Sequence, residues 1–203
     1  MKSILIAFIR LLFYAFLMFL CTIPIEADFE LGQANESGAI EFAQESILLI
    51  TVLVGFMSLA FTKHFKTFMS ALSLFIGMHL IREFDAWFDD VFPALGWFPF
   101  VLVLAVILVV ILFKNFKSFL NQFKTLSHTL GFGVLLISLA NLHVFTRLYG
   151  KPSNWDNIMG DKYLYSVERA SEESVELVAY MMILIAVVEL FIFVKKDKLR
   201  ADE

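Results

Sequence analysis

Residues 173–200, ESVELVAYMMILIAVVELFIFVKKDKLR, decide the class of fold. Between Glu176 and Lys195 the only charged residue is Glu189, and about 20 predominantly apolar residues suffice to cross a bilayer as a helix. Acids crowd one end of the run (Glu172, Glu173, Glu176), and bases crowd the other (Lys195, Lys196, Lys198, Arg200). This is the pattern of a helix with its two ends in different surroundings.

Five more apolar stretches elsewhere in the chain have comparable length. Together they predict an all-α, polytopic membrane bundle of six transmembrane helices at about residues 4–25, 41–62, 68–85, 97–113, 126–149 and 173–194. The whole chain, residues 1–203, reads as a single integral membrane domain. Composition agrees, with 60% apolar residues, 24 Phe and only 18% charged residues; soluble domains carry roughly 45–50% and about a quarter. A water-soluble monomer could not cover that much apolar surface.

Strict alternation across six spans sorts the charge. Lys2, Arg10, Lys63, Lys66, Lys114, Lys117, Lys124, Lys195, Lys196, Lys198 and Arg200 share one side, which is eleven of the 16 Lys and Arg. Arg82, Arg147, Lys151, Lys162 and Arg169 fall on the other, together with sixteen of the 20 acids. The positive-inside rule then places both termini in the cytoplasm, in what reads as a bacterial cytoplasmic (inner) membrane. Trp87, Trp97, Tyr149, Trp155, Tyr163 and Tyr165 mark the outer interface. The net charge of −4 shows no uniformly basic face, which excludes nucleic acid as a partner. Cys21 is the single cysteine, so neither an intramolecular disulfide nor a thiolate metal motif can form.

The connections carry their own signals. Residues 63–67 are short enough to make a tight hairpin of the second and third spans. Residues 114–124 place Lys114, Lys117 and Lys124 among Phe116, Phe119, Leu120 and Phe123, the spacing of a short basic helix lying on the bilayer surface. Residues 26–40 are expected to form an acidic loop. Residues 150–169 begin irregularly, with helix from about Asp161 running into the sixth span. The first span has the alternative reading of a signal peptide removed within residues 1–27. Its apolar run is longer than an h-region, and Ile25-Glu26-Ala27 is a poor cleavage site, so a retained helix is expected. Gly77, Gly131 and Gly133 are candidate points of close helix approach.

Ionisable residues recur at the outer helix ends with helical spacing. Glu41 and Glu45 are i,i+4, as are His79 with Glu83 and His143 with Arg147; Glu168, Glu172 and Glu176 form one row beside Glu173. Charged groups inside a span cost several kcal/mol unless they pair or face water, so these should point into the bundle. Glu45, His79, Arg82, Glu83, His143, Arg147, Glu173 and Glu176 are therefore the candidate catalytic residues. His79, Glu83, His143, Glu45 and Glu176 are the candidate ligands of a divalent metal such as Zn, Fe or Mn, since carboxylate and imidazole suit these ions. Arg82 and Arg147 would neutralise carboxylates or grip an anionic headgroup.

Three functions fit this constellation. A metal-dependent hydrolase would use activated water on a lipid or lipid-linked substrate reaching it from the outer side. A proton-coupled or cation carrier would use the outer acids and Glu189 as a path. A structural or assembly subunit would use the same groups only as ion pairs that fix helix packing. Hydrolase, nucleotide-binding and di-iron signatures are absent, so no motif chooses among them.

Overall fold

The computed structural model describes residues 1–31 and 38–201, and all regular structure among them is helical. In order these are α1 (Lys2–Leu20), α2 (Thr22–Leu31), α3 (Ala39–Ser58), α4 (Lys66–Glu83), α5 (Asp85–Val91), α6 (Phe98–Lys114), α7 (Phe116–Leu126) and α8 (Leu130–Ala140). A π-turn (Asn141–Phe145) then leads to α9 (Thr146–Tyr149), α10 (Pro152–Met159) and the long α11 (Tyr165–Ala201). Helix satisfies the backbone N–H and C=O groups of its interior within its own segment, a necessity where no water is available.

Four helical stretches are long and apolar enough to cross a membrane: Ile4–Glu30, Ala39–Phe61, Leu130–Tyr149 and Tyr165–Asp197. A fifth arises if α6 and α7, bent by 92° at Asn115, count as one broken span. The protein is thus all-helical, with four to five candidate membrane-spanning helices. α4, expected as the third of six, stands outside this set because its 18 residues include Lys66, Arg82 and Glu83. Its apolar side chains are covered by protein: Phe68, Met69, Ala71, Leu72, Leu74 and Ile76 are all buried.

The chain divides into two compact units, Met1–Gln44 with Ser138–Met182, and Glu45–Ile137 with Ile183–Glu203. In the first, the N-terminal helix breaks at Cys21 and restarts with Pro24 in the first turn of α2, where a missing N–H is tolerated. Helix persists through Leu31, so residues 26–31 are helical where the sequence suggested a loop. Ala27–Leu31 contains no Gly or Pro to stop it, and the Gly32, Asn35, Glu36 and Ser37 of that expectation lie outside the described residues. Asp28 then caps α3 from a distance, accepting hydrogen bonds from Ala39 N (2.7 Å) and Ile40 N (2.9 Å). Residues 150–162 are also more regular than expected. Pro152 occupies the first turn of α10, where its fixed φ favours helix.

In the second unit α4 is packed by α6 and α7. A Cβ placed on Gly55 of α3 would lie 2.4 Å from Ser73 Oγ of α4, so those two helices nearly touch. Gly131 of α8 is tighter against backbone. Its added Cβ would meet Ala186 O and Leu190 N of α11, both at 2.9 Å. The turn after α3 is held to the end of α11 by edge-on ring contacts, Phe61 with Phe191 (5.5 Å) and Phe65 with Phe193 (5.8 Å).

Of the three glycines expected at close approaches, Gly131 serves as one. Gly77 meets only Leu104 Cδ1 at 3.4 Å, and Gly133 has nothing within 4 Å. Gly131→Ala should therefore destabilise the protein by about 1–3 kcal/mol, as overpacking does. Gly133→Ala should be neutral or slightly stabilising, since Ala outranks Gly in helix propensity. Thermal unfolding of the two variants in detergent checks the contrast; equal midpoints would remove the close approach as a determinant of stability.

Candidate functional site

The first unit gathers the outer carboxylates of α11 around two arginines. Glu172 and Glu176 are i,i+4 on one face, and Arg147 bridges them. Its Nη1 donates to Glu172 Oε1 at 2.9 Å, and its Nη2 lies 2.7 Å from Glu176 Oε1. Burial is uneven: the Glu176 side chain is 3% exposed and that of Arg147 is 47% exposed. The guanidinium fork suits two carboxylate oxygens at this spacing better than an ammonium would. Gly150 makes room for the network, because a Cβ there would fall 2.4 Å from Glu172 Cδ.

The π-turn sets the position of Arg147. Thr146 Oγ1 donates to Asn141 O, five residues back, at 2.8 Å. Such wide turns insert an extra residue into a helix and rotate the residues beyond it. The buried positions accordingly run Ser138, Leu142, Thr146 and Gly150, a spacing of four rather than 3.6, while His143 is exposed. His143 and Arg147 both lie on the exposed side of this row, and the Arg147 guanidinium reaches the carboxylates.

Glu173 is held separately. Gln44, fully buried on α3, donates through Nε2 to both Glu173 O and Glu173 Oε2, each at 3.0 Å. Turning the amide over would face its oxygen to those two oxygens, so Gln44 acts as a donor. Arg169, one turn earlier, places Nε 3.8 Å from Glu173 Oε1. Tyr163, just before α11, donates its phenolic hydrogen to the buried Glu168. Trp155 Nε1 donates to Tyr149 O at 2.9 Å, fastening α10 beside the end of α9.

The second unit holds the remaining candidates. Glu83 is buried, with Arg82 Nη2 at 3.7 Å from its Oε1. Glu45 feels the charges of Glu83 and Asp85. His79 meets the ring of Phe75 edge-on at 5.1 Å.

Among the described residues, no three His, Cys, Asp or Glu side chains come together so as to hold a metal ion. Of the ligands expected from sequence, His143 and Glu176 belong to the first unit, where Arg147 takes up Glu176, and Glu45, His79 and Glu83 belong to the second. Gln44, Arg169, Tyr163 and Asp28 are the participants that sequence spacing missed. The partners of Gln44, Tyr163 and Asp28 lie on other segments or off the i,i+4 rhythm, whereas Arg169 and Glu173 are themselves i,i+4; Gly38 packed on Asp28, where a Cβ would lie 2.6 Å from Oδ2, is a further local hint. Compared with known proteins, the chain matches no protein family, no curated protein and no solved structure.

The hydrogen bond to Glu168 pushes the Tyr163 phenol up to about 12, with desolvation and the nearby Glu168 and Asp156 charges adding to it. The raised folded-state value means that this contact contributes fully below the ordinary tyrosine range near 10 and is lost as pH rises toward 12. Absorbance titration of tyrosinate should include a late step near pH 12 that belongs to Tyr163. Tyr163→Phe should remove that late step and leave the earlier ones; its persistence would move the assignment to another tyrosine.

Proposed function

We propose that this chain is a non-enzymatic structural or assembly subunit of a membrane, whose outer ionisable residues serve as packing ties. The single observation that carries the reading is the Arg147 guanidinium shared between Glu172 and Glu176 at 2.9 and 2.7 Å. A guanidinium so engaged has its charge directed at two carboxylates, and carboxylates so neutralised are poor general bases. Gln44 and Arg169 occupy Glu173 in the same manner. A hydrolase would need an activated water, and the described residues offer no three-donor group to bind its metal.

The topology belongs to the same proposal. Six crossings are reached by counting α4 as a span shielded by protein and α6 as a span ending at the 92° bend. Both termini then share the side rich in Lys, inside a cytoplasmic membrane by the positive-inside rule. Arg82 and Glu83 of α4 fall at the outer end on this count.

Arg147→Gln should lower stability by about 1–3 kcal/mol, less than the 3–5 of a fully buried pair because water screens the exposed guanidinium. Adding Glu176→Gln should recover part of that loss, since the buried carboxylate no longer lacks its cation. Thermal unfolding of the single and double variants measures both. Unchanged stability in Arg147→Gln, or stoichiometric metal in a chelator-free preparation that this substitution removes, would overturn the proposal.

A further inference from the structure

The face of α7 that the protein leaves bare has the chemistry of a lipid headgroup site. At 100° per residue, Gln122, Leu126 and Phe119 lie on one side of this helix. Gln122 and Leu126 are buried, and Phe119 stacks on Phe68 of α4 with ring centroids 5.9 Å apart. Gln122 Oε1 also accepts the Phe68 backbone N–H at 2.8 Å, supplying one of the first-turn acceptors that α4 lacks. That bond and the stacked rings fix how α7 lies against α4.

The next arc of about 60° carries Phe116, Leu120 and Phe123. All three remain exposed, at 57%, 48% and 40%. Beside that arc stand Lys117 and Lys124, both exposed, while Ser118, Asn121 and Thr125 make the opposite, purely polar side. Around the helix the order is therefore protein, bare apolar, basic, polar.

Two further features choose the occupant. The 92° bend sets α7 across the axis of α6, whose residues from Phe98 to Phe113 are all apolar. A helix crossing the bilayer and then turning through a right angle leaves its continuation lying along the surface. The chain on either side of α7 also carries charge of one sign, although Glu189 of α11 packs nearby, its Cβ 3.0 Å from where a Cβ on Gly131 would stand. No Asp or Glu occurs between Asp90 and Asp156, nor between Glu45 and Glu83, and exposed Lys63, Lys66 and Lys114 stand on the segments adjoining α7. Glu83 is the acid of α4, about 25 Å along the helix from Lys66.

We infer that α7 is a binding element for anionic phospholipid. Phe116, Leu120 and Phe123 enter the acyl layer, and Lys114, Lys117 and Lys124 hold headgroup phosphate at its edge. A soluble polyanion would be served by the lysines but not by a bare Phe/Leu stripe of this kind, which favours the bilayer.

The test uses the full chain in nanodiscs of mixed phosphatidylcholine and phosphatidylglycerol, with native mass spectrometry of the lipids it retains. Wild-type protein should retain phosphatidylglycerol in preference, and each lysine removed in Lys114→Gln, Lys117→Gln and Lys124→Gln should weaken that preference roughly fivefold. High salt should weaken it too, as screening shortens the reach of the charges. Spin labels at Leu120 and Thr125, in a Cys21→Ala background, give a reading independent of lipid affinity. Oxygen should relax the label at 120 and an aqueous nickel chelate the label at 125. Equal retention of the two lipids by wild-type protein, undiminished preference in the triple variant, or equal aqueous access at 120 and 125 would each overturn the assignment.

Discussion

In hydrocarbon an apolar side chain gains little by leaving lipid for protein, so burial of Leu and Phe cannot by itself choose one arrangement of helices. Two devices remain: close contact between backbones, and a few polar bonds that lipid cannot replace. The second unit relies on the first device. Gly131 lets α8 come within van der Waals reach of the backbone at Ala186 and Leu190, and Gly55 does the same for α3 against Ser73. The first unit relies on the second, through Arg147, Gln44 and Asp28. The second unit adds one polar tie of its own, the Gln122 amide on the Phe68 backbone.

Much of the helical content was legible because its cause is compositional. The stretch from Leu177 to Val194 can be little else than a spanning helix, and the Lys–Phe pattern after Lys114 announced a helix of different character. α4 was harder. Counting apolar residues cannot distinguish a helix that faces lipid from one wrapped by other helices, and α4 is the latter, which is why it carries three charges in 18 residues. The N-terminal helix ran further than expected for a simpler reason: acidic residues resemble loop composition, yet Glu26–Leu31 lacks anything that ends a helix.

The candidate site was legible as an inventory but not as a geometry. Spacing placed Glu172 and Glu176 on one face correctly, because both sit in an uninterrupted α-helix. His143 and Arg147 are separated by the π-turn, through which the buried positions recur every four residues and both of these side chains are exposed. No residue in Asn141–Phe145 is an obvious breaker; Thr146, whose hydroxyl reaches Asn141 O, is the one polar feature that accompanies the widening. Remote partners such as Asp28 with Ala39, or Gln44 with Glu173, leave no periodic trace at all.

The π-turn also gives the chain an unusual asymmetry between two kinds of genetic change. A substitution within Asn141–Phe145 leaves the residue count intact, and with it the register of everything after. Loss of any one of these five residues would do the opposite. The segment from Leu130 onward would close into a more regular α-helix, locally better bonded, while Arg147 swung by about 100° away from Glu172 and Glu176. Local helix quality and the ion-pair fork are in direct conflict at this point, and the extra residue keeps the less regular helix.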